Sequence, residues 1–70
     1  MKPPYTVQPE RHDGFGDYEA DGLPSVFDDV ESARAHVRRV TEQSGIVPRV
    51  IDGRGVAIQL HTCAEVARWA

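Results

Sequence analysis

The sequence predicts a two-layer α+β domain in which one main helix packs on an antiparallel sheet of three to four strands. Three observations predict this fold. One segment with the helical period lies near the middle of the chain, short β-rich segments lie on both sides of it, and Gly, Pro or Asp residues separate these segments. The predicted order is β-β-α-β-β, followed by a short C-terminal helix. A chain of 70 residues is expected to form a single domain, residues 1–70.

Three short β segments are predicted before the main helix. Tyr5–Gln8 is predicted to form a strand that ends at a proline, and Phe15–Ala20 is predicted to form a second strand. Because Phe15 and Tyr18 have opposite parity, either a bulge lies between them or one of the two rings faces solvent. Ser25–Phe27 is predicted to complete the strand that enters the helix.

The main helix is predicted from Asp28 to Ser44. Asp28 is expected to accept hydrogen bonds from the free amides of the first turn, with Glu31 three residues later as in a capping box. Gly45 supplies the left-handed conformation that ends many helices. The core-facing stripe is narrow and suits close packing on a sheet; its members are Val30, Ala33, Val37 and Val40.

A β hairpin is predicted after the helix, with strands at Ile46–Ile51 and Val56–Leu60. Asp52 and Gly53 between them predict a type I′ turn, which needs positive φ at both central residues. Because Pro48 lacks an N–H donor, the first strand is expected to lie at a sheet edge or to break its ladder at that point.

The last residues, Thr62 to Ala70, are predicted to form a second, short helix with a capping box between Thr62 and Glu65. A helix of this length is not stable alone. Trp69 is therefore expected to pack on the chain's own core or on another molecule.

Acidic and basic residues are segregated along the chain. Residues 1–31 hold eight acidic and two basic residues, a formal charge of −6, whereas residues 32–70 hold three acidic and six basic residues, a formal charge of +3. All eight of the early carboxylates fall between Glu10 and Glu31. Charge of one sign on one part of a small domain favours a partner of the opposite sign, although charge on an edge strand also discourages aggregation.

The small size of the chain and its single cysteine predict self-association or docking on a larger partner. A 70-residue domain is marginally stable, and Cys63 alone cannot form an internal disulfide or a zinc site of the finger type. A free cysteine fits a reducing cytoplasm. The N-terminus has no apolar leader region and no stretch approaches 18 apolar residues, so neither export nor membrane association is expected.

The run from Tyr5 to Leu60 resembles a class of short bacterial β-β-α-β domains of uncharacterised function. Four segments carry the resemblance: Val7-Gln8-Pro9, the aromatic segment Phe15 to Tyr18, the helix entry Phe27-Asp28, and the turn Asp52-Gly53-Arg54-Gly55. The acidic second strand and the tail with its Trp depart from that class. In size, acidity and layout the chain also resembles small phage-encoded inhibitor proteins, including anti-CRISPR proteins, which implies binding to a protein that handles nucleic acid.

Two groups of residues suggest chemistry, and each has a structural alternative. His12, Asp13 and Asp17 have the donor types of a cation site or an acid–base pair, whereas the alternative is a solvated turn. His61 and Cys63 are near enough in sequence for a nucleophile pair, but a nucleophile also needs a cleft and an orienting third group. A structural or half-buried cysteine is the interpretation that we prefer.

Five arginines are candidates for a phosphate-binding face: Arg34, Arg38, Arg39, Arg49 and Arg54. Direct binding of nucleic acid is not expected, because domains that bind it through charge are usually basic, and this chain is acidic. The alternative is a solvated helix face with ion pairs such as Arg38–Glu42.

The function predicted from these observations is a non-enzymatic protein-binding module, without cofactor or metal, whose partner has a basic surface. An acidic strand and loop region would steer the encounter and aromatic rings would anchor it. The predicted partner-binding residues are Asp13, Phe15, Asp17, Tyr18, Glu19, Asp21 and Trp69. Two alternatives stay open: a structural homodimer that buries Trp69 or an edge strand between copies, and a small metal-binding protein.

Overall fold

One helix covers one face of a four-stranded antiparallel sheet, so the predicted α+β class is confirmed. The computed structural model describes residues 1–69. The elements in chain order are β1 (Tyr5–Gln8), β2 (Glu10–His12), β3 (Tyr18–Ala20), β4 (Ser25–Phe27), α1 (Val30–Ser44), β5 (Arg49–Ile51), β6 (Ala57–Ile58) and α2 (Cys63–Trp69). The sheet has the spatial order β4-β1-β5-β6, and β2 and β3 form a separate two-stranded ribbon.

The core lies between α1 and the two central strands. Val7 on β1 pairs with Ser25 on β4 and with Val50 on β5, which fixes the register of three strands at one buried residue. Six apolar residues form the buried core: Tyr5, Val7, Ala33, Val37, Val50 and Leu60. Of the predicted stripe of α1, Ala33 and Val37 are buried in this core and Val30 packs against it, whereas Val40 is only half-buried. Thr41 is also buried on α1, and its hydroxyl donates to the Val37 carbonyl at 2.8 Å.

The N-cap of α1 lies one residue later than predicted, and the helix begins at Val30. Asp29, not Asp28, is the N-cap, and its carboxylate accepts from the Ser32 amide at 2.8 Å. The capping box that we predicted with Glu31 is therefore wrong, because the residue three positions after the cap is Ser32, whose amide donates to Asp29. Gly45 ends the helix with φ of 75°, as predicted.

The predicted type I′ turn after β5 is wrong. Neither Asp52 nor Gly53 has a positive φ, and Gly55 takes the left-handed conformation instead. Asp52 is buried and acts as the centre of this turn, where its carboxylate accepts from the amides of Arg54 at 2.9 Å and Val56 at 3.2 Å. The turn is thus held by the Asp52 side chain together with backbone hydrogen bonds that join Asp52 to Gly55 and Val56, and it is not the type I′ turn that Asp-Gly usually indicates.

The strands β5 and β6 are shorter than predicted. β5 starts at Arg49, directly after Pro48, and lies inside the sheet between β1 and β6, so the proline breaks the ladder and does not mark an edge. Of the predicted strand Val56–Leu60, only Ala57–Ile58 pairs with β5. Val56 is half exposed, so it does not share the buried environment of Leu60.

The face of the sheet opposite α1 has no covering layer among residues 1–69. On this face Thr6 of β1 is flanked by Val26 of β4 and Ile51 of β5. Val26 is 60% exposed. No helix within the described part of the chain is long and apolar enough to cross a membrane.

Candidate functional site

The ribbon of β2 and β3, with its loop of residues 13–17, leaves the sheet at Pro9; we call it the acidic hairpin. Pro9 has no N–H, so the ladder of β1 stops there and β2 pairs with β3 alone, with Arg11 opposite Glu19 and His12 opposite Tyr18. The prediction that Phe15–Ala20 forms a strand of the main sheet is therefore wrong. Only Tyr18–Ala20 forms a strand, and its partner is β2.

Hydrogen bonds and one ion pair hold the base of the acidic hairpin against the sheet. The Asp21 amide donates to the Pro9 carbonyl at 2.8 Å, and the Gln8 side chain donates to the carbonyls of Pro9 and Gly22. The Glu10 carboxylate, whose side chain is 14% exposed, lies 3.5 Å from the Arg49 guanidinium on β5. The hairpin thus projects from a fixed base.

The loop at the tip is ordered by the side chain of Asp13. Its Oδ1 accepts from the amides of Phe15 at 2.7 Å and Asp17 at 3.2 Å, and its own amide donates to the Asp17 carbonyl at 3.0 Å. Gly14 and Gly16 adopt φ of 87° and 96°, which residues with a Cβ rarely adopt. Since these bonds lie within the loop, the tip keeps one shape without support from the core.

The loop presents an aromatic ring to solvent. Phe15 is 92% exposed and lies between the two left-handed glycines. Tyr18 at the start of β3 is 57% exposed, and its ring packs edge-on against His12 at 5.2 Å between centroids. The sequence predicted that a bulge or one exposed ring would resolve the parity conflict, and both rings prove to be largely exposed.

Some carboxylates of the acidic segment are compensated within the chain and others are not. Glu19 lies 2.8 Å from Arg11, and Glu10 is paired with Arg49. Asp29 caps α1, and the hydrogen bonds from Ser32 hold the pKa of Asp29 below its usual value. Among residues 1–69, Asp17 and Asp21 form no ion pair, so the predicted negative charge is retained at the hairpin but is smaller than a count of residues suggests.

Trp69 lies apart from the predicted partner-binding residues of the hairpin. Its ring packs edge-on against His61, with 4.3 Å between centroids, and the Arg38 guanidinium lies 6.0 Å from its centroid. Trp69 also packs on the chain's own core, which is one of the two environments that the sequence predicted for it. The structure therefore brings together the hairpin residues Asp13 to Asp21 and leaves Trp69 in the contact between α1 and α2.

The two alternative chemical sites are not assembled. His12 Nδ1 accepts from the Gly14 amide at 3.1 Å and Asp13 Oδ1 accepts two loop amides, so both are engaged within the loop. No three His, Cys, Asp or Glu side chains among residues 1–69 are grouped as metal ligands. Cys63 is exposed, so the prediction of a half-buried cysteine is wrong. Within the same residues neither nitrogen of His61 has a hydrogen-bond partner, so no thiol–imidazole pair is formed.

Four of the five candidate phosphate-binding arginines are paired with carboxylates. Arg34 lies 2.8 Å from Glu65, Arg38 lies 3.6 Å from Glu42, and the other two pairs are Arg49–Glu10 and Arg54–Asp52. The structure thus agrees with the prediction of helix-surface ion pairs such as Arg38–Glu42.

Sequence reasoning missed one large concave feature, a groove of about 470 Å³ formed mainly by β5, β6 and their flanking residues, with Val37 of α1 and the start of α2. It is lined by apolar residues that include Val37, Leu60 and Val66, with His61 and Cys63 beside them. No local sequence signal indicates this groove, because its lining residues come from segments that are distant in the chain.

A scan against protein-family models and searches of curated proteins and of solved structures found no match to this chain. The resemblances to short bacterial domains and to phage-encoded inhibitors stay predictions. The geometry of the acidic hairpin is the feature that supports a function.

Proposed function

We propose that the chain is a non-enzymatic protein-binding module whose acidic hairpin docks on a basic surface of a protein partner. The observation that carries the proposal is Phe15, a 92% exposed aromatic ring held at the tip of an ordered loop. An exposed ring on a preformed loop loses little entropy when it is buried, and its burial contributes about 2 kcal/mol to binding.

The carboxylates of the acidic hairpin define the chemistry of the partner. Asp17 and Asp21 have no ion pair among the described residues, and they flank the strand that carries Tyr18. A basic groove of the kind that nucleic-acid-binding proteins use for phosphate fits this arrangement, because carboxylates on the same hairpin as an exposed aromatic ring would meet lysines and arginines there. An inhibitor of such a protein would act by occupying that groove. The exposed thiol of Cys63 fits a reducing compartment such as the cytoplasm.

The experiment that tests the proposal is affinity capture with matched variants, followed by binding kinetics on the captured protein. Asp17→Lys should reduce the association rate at low salt, because it reverses a charge at the docking surface. Glu42→Lys reverses a charge on α1, outside the hairpin, and should leave the rate nearly unchanged. Equal rates for the two variants at low salt would contradict the proposed electrostatic role of the hairpin.

Phe15 has a matched apolar control in Val56, which is 49% exposed in a different turn. Phe15→Ser should accelerate dissociation by about tenfold or more, as expected for a hot-spot residue, whereas Val56→Ser should have little effect. Capture that is insensitive to Phe15→Ser would exclude the tip of the hairpin as the anchor.

A homodimer is the second candidate, and the sheet edge favours it. Among residues 1–69, β4 pairs only with β1, and Val26 on β4 and Leu23 just before it are 60% and 89% exposed. Two copies would pair through their β4 strands and cover these side chains. Sedimentation at micromolar concentration tests this candidate, and a monomer of 7.8 kDa would remove it.

A further inference from the structure

Few contacts hold α2 on the rest of the molecule. α2 has seven residues, so it is not stable without tertiary contacts. Glu65 forms a capping box with Thr62 and lies 2.8 Å from the Arg34 guanidinium on α1. Trp69 at the end of α2 packs on the core, lies 6.0 Å from the Arg38 guanidinium of α1, and contacts edge-on the ring of His61 just before the start of α2.

His61 has an unusual environment within the described residues. Both ring nitrogens are inaccessible to solvent, and neither has a hydrogen-bond partner among residues 1–69. Buried polar atoms in proteins are nearly always hydrogen-bonded, so a ring with two unsatisfied nitrogens needs an explanation. An uncharged imidazole packs there as a mostly apolar ring, but an imidazolium would bring two N–H donors and a charge into the same place.

Burial and the Arg34 guanidinium disfavour protonation of His61, and they lower its pKa although Glu65 acts in the opposite direction. The groups that line this region are Glu31, Arg34 and Arg38 of α1 and Glu65 of α2. Burial lowers the pKa of His61 below 6.5, the Arg34 guanidinium lowers it further, and Glu65 opposes them only in part. Glu65 is itself engaged by Thr62 and Arg34, and the hydrogen bonds from Thr62 together with Arg34 hold the pKa of Glu65 below 4.5. Glu65 therefore stays ionised while His61 titrates.

We propose that His61 is a pH-sensitive latch: uncharged, it packs against Trp69 and holds α2 on α1, and protonated, it releases α2 from the body of the domain. Val66 and Cys63 of α2 line the groove of about 470 Å³ that Val37 and Leu60 line from the other side. Release of α2 removes one wall of this groove and uncovers apolar core residues. The latch is independent of the acidic hairpin and does not require the proposed function.

The size of the pH effect on the opening of α2 follows from its linkage to the protonation of His61. In the released state His61 is solvated and takes up a proton near its unperturbed pKa of about 6.5, whereas in the docked state it does so at a lower pH. The equilibrium constant for opening α2 therefore rises as pH falls below about 6.5. Between pH 7.5 and 5.5 the rise is up to about tenfold, since each pH unit below the released-state pKa adds a factor approaching ten.

The test uses amide hydrogen exchange of α2 together with acrylamide quenching of Trp69, which is the only tryptophan in the chain. Exchange rates are corrected for the intrinsic pH dependence and are compared between pH 7.5 and 5.5. His61→Phe keeps an aromatic ring against Trp69 but cannot be protonated. His12→Gln is the matched control, because it removes a histidine from the hairpin and leaves His61 in place.

The latch predicts faster corrected exchange in α2 and greater quenching of Trp69 at pH 5.5 in the unmodified chain and in His12→Gln. It predicts no such change in His61→Phe, with β1 and α1 protected throughout. Three results would each overturn it: no change in α2 at pH 5.5, the same change in His61→Phe, or simultaneous loss of protection in β1. The last would show that acid unfolds the whole domain. If His61→Phe does not fold, His61→Gln replaces it, with the same outcomes.

Discussion

The valine at the centre of β1 provides a quantitative test of the fold. Val7 is fully buried and pairs with strands on both sides, so Val7→Ala removes two methyl-sized groups from a closed part of the core. The lost transfer free energy is about 1.6 kcal/mol at about 0.8 kcal/mol per CH₂. A residual cavity of roughly 50 Å³ adds about 1.2 kcal/mol at about 24 cal/mol per Å³.

The expected cost of Val7→Ala is therefore about 3 kcal/mol, a large fraction of the roughly 4–10 kcal/mol that a domain of this size has. Thermal unfolding followed by circular dichroism should show a fall in Tm of at least about 12 °C, since each kcal/mol shifts Tm by about 4–8 °C in a small domain. Val26→Ala is the matched control on the neighbouring strand. Because Val26 is 60% exposed, it should cost less than about 1 kcal/mol.

Equal losses of stability in Val7→Ala and Val26→Ala would refute the assignment of the buried and exposed faces of the sheet. The face of β1 that carries Val7 would then not be the one that α1 covers. The register of β4, β1 and β5 described above would be wrong by one residue, since a shift of one residue exchanges the two faces of a strand.

Three further variants test other parts of the structure. Phe15→Ser should change the free energy of unfolding by less than about 0.5 kcal/mol, because the ring makes little contact with the fold; a clear loss in denaturant titration would mean that Phe15 is a core residue. Burial would raise the pKa of Asp52, but the amides of Val56 and Arg54 and the Arg54 side chain outweigh it and hold that pKa below 3.8. The stabilisation by Asp52 is thus present above about pH 3.8 and is lost as pH falls through the folded-state pKa. Asp52→Asn should lower Tm at pH 7 and weaken its acid dependence, and unchanged Tm curves from pH 7 to 2.5 would contradict this. In Gly53→Ala the new Cβ would overlap the Pro3 carbonyl. The hydrogen bond from the Gly53 amide to the Lys2 carbonyl should therefore be lost, and the NMR chemical shifts of residues 1–4 should change. Unchanged chemical shifts would show that residues 1–4 do not lie against Gly53.

The elements that sequence predicted well are those with a local physical cause. The period of α1, its glycine stop and the Thr62–Glu65 capping box each depend on residues within a few positions of one another. The helix start was wrong by one residue because Asp28 and Asp29 are both suitable caps, and only the approach of the chain from β4 selects between them.

The features that sequence missed depend on contacts between distant segments. The Asp-Gly pair at Asp52 predicted a type I′ turn, but the buried carboxylate organises the turn, and Gly53 is needed where the N-terminal arm crosses it. Phe15–Ala20 had the composition of a sheet strand, and nothing local showed that Pro9 would direct the ribbon out of the sheet. The acidic and aromatic character of the candidate site was predictable, but the ordered tip that presents Phe15 was not.

The position of the acidic hairpin between two paired strands has a consequence for how this domain can diversify. β1 and β4 pair directly with each other, and the hairpin is an insertion between them whose own ladder closes at the Asp21–Pro9 hydrogen bond. Changes in its length or sequence need not alter the register of the sheet, just as loops on a rigid scaffold tolerate variation. Related chains could therefore keep the same sheet and helix and exchange the hairpin to bind new targets. A protein engineer could graft a foreign recognition loop at the same place.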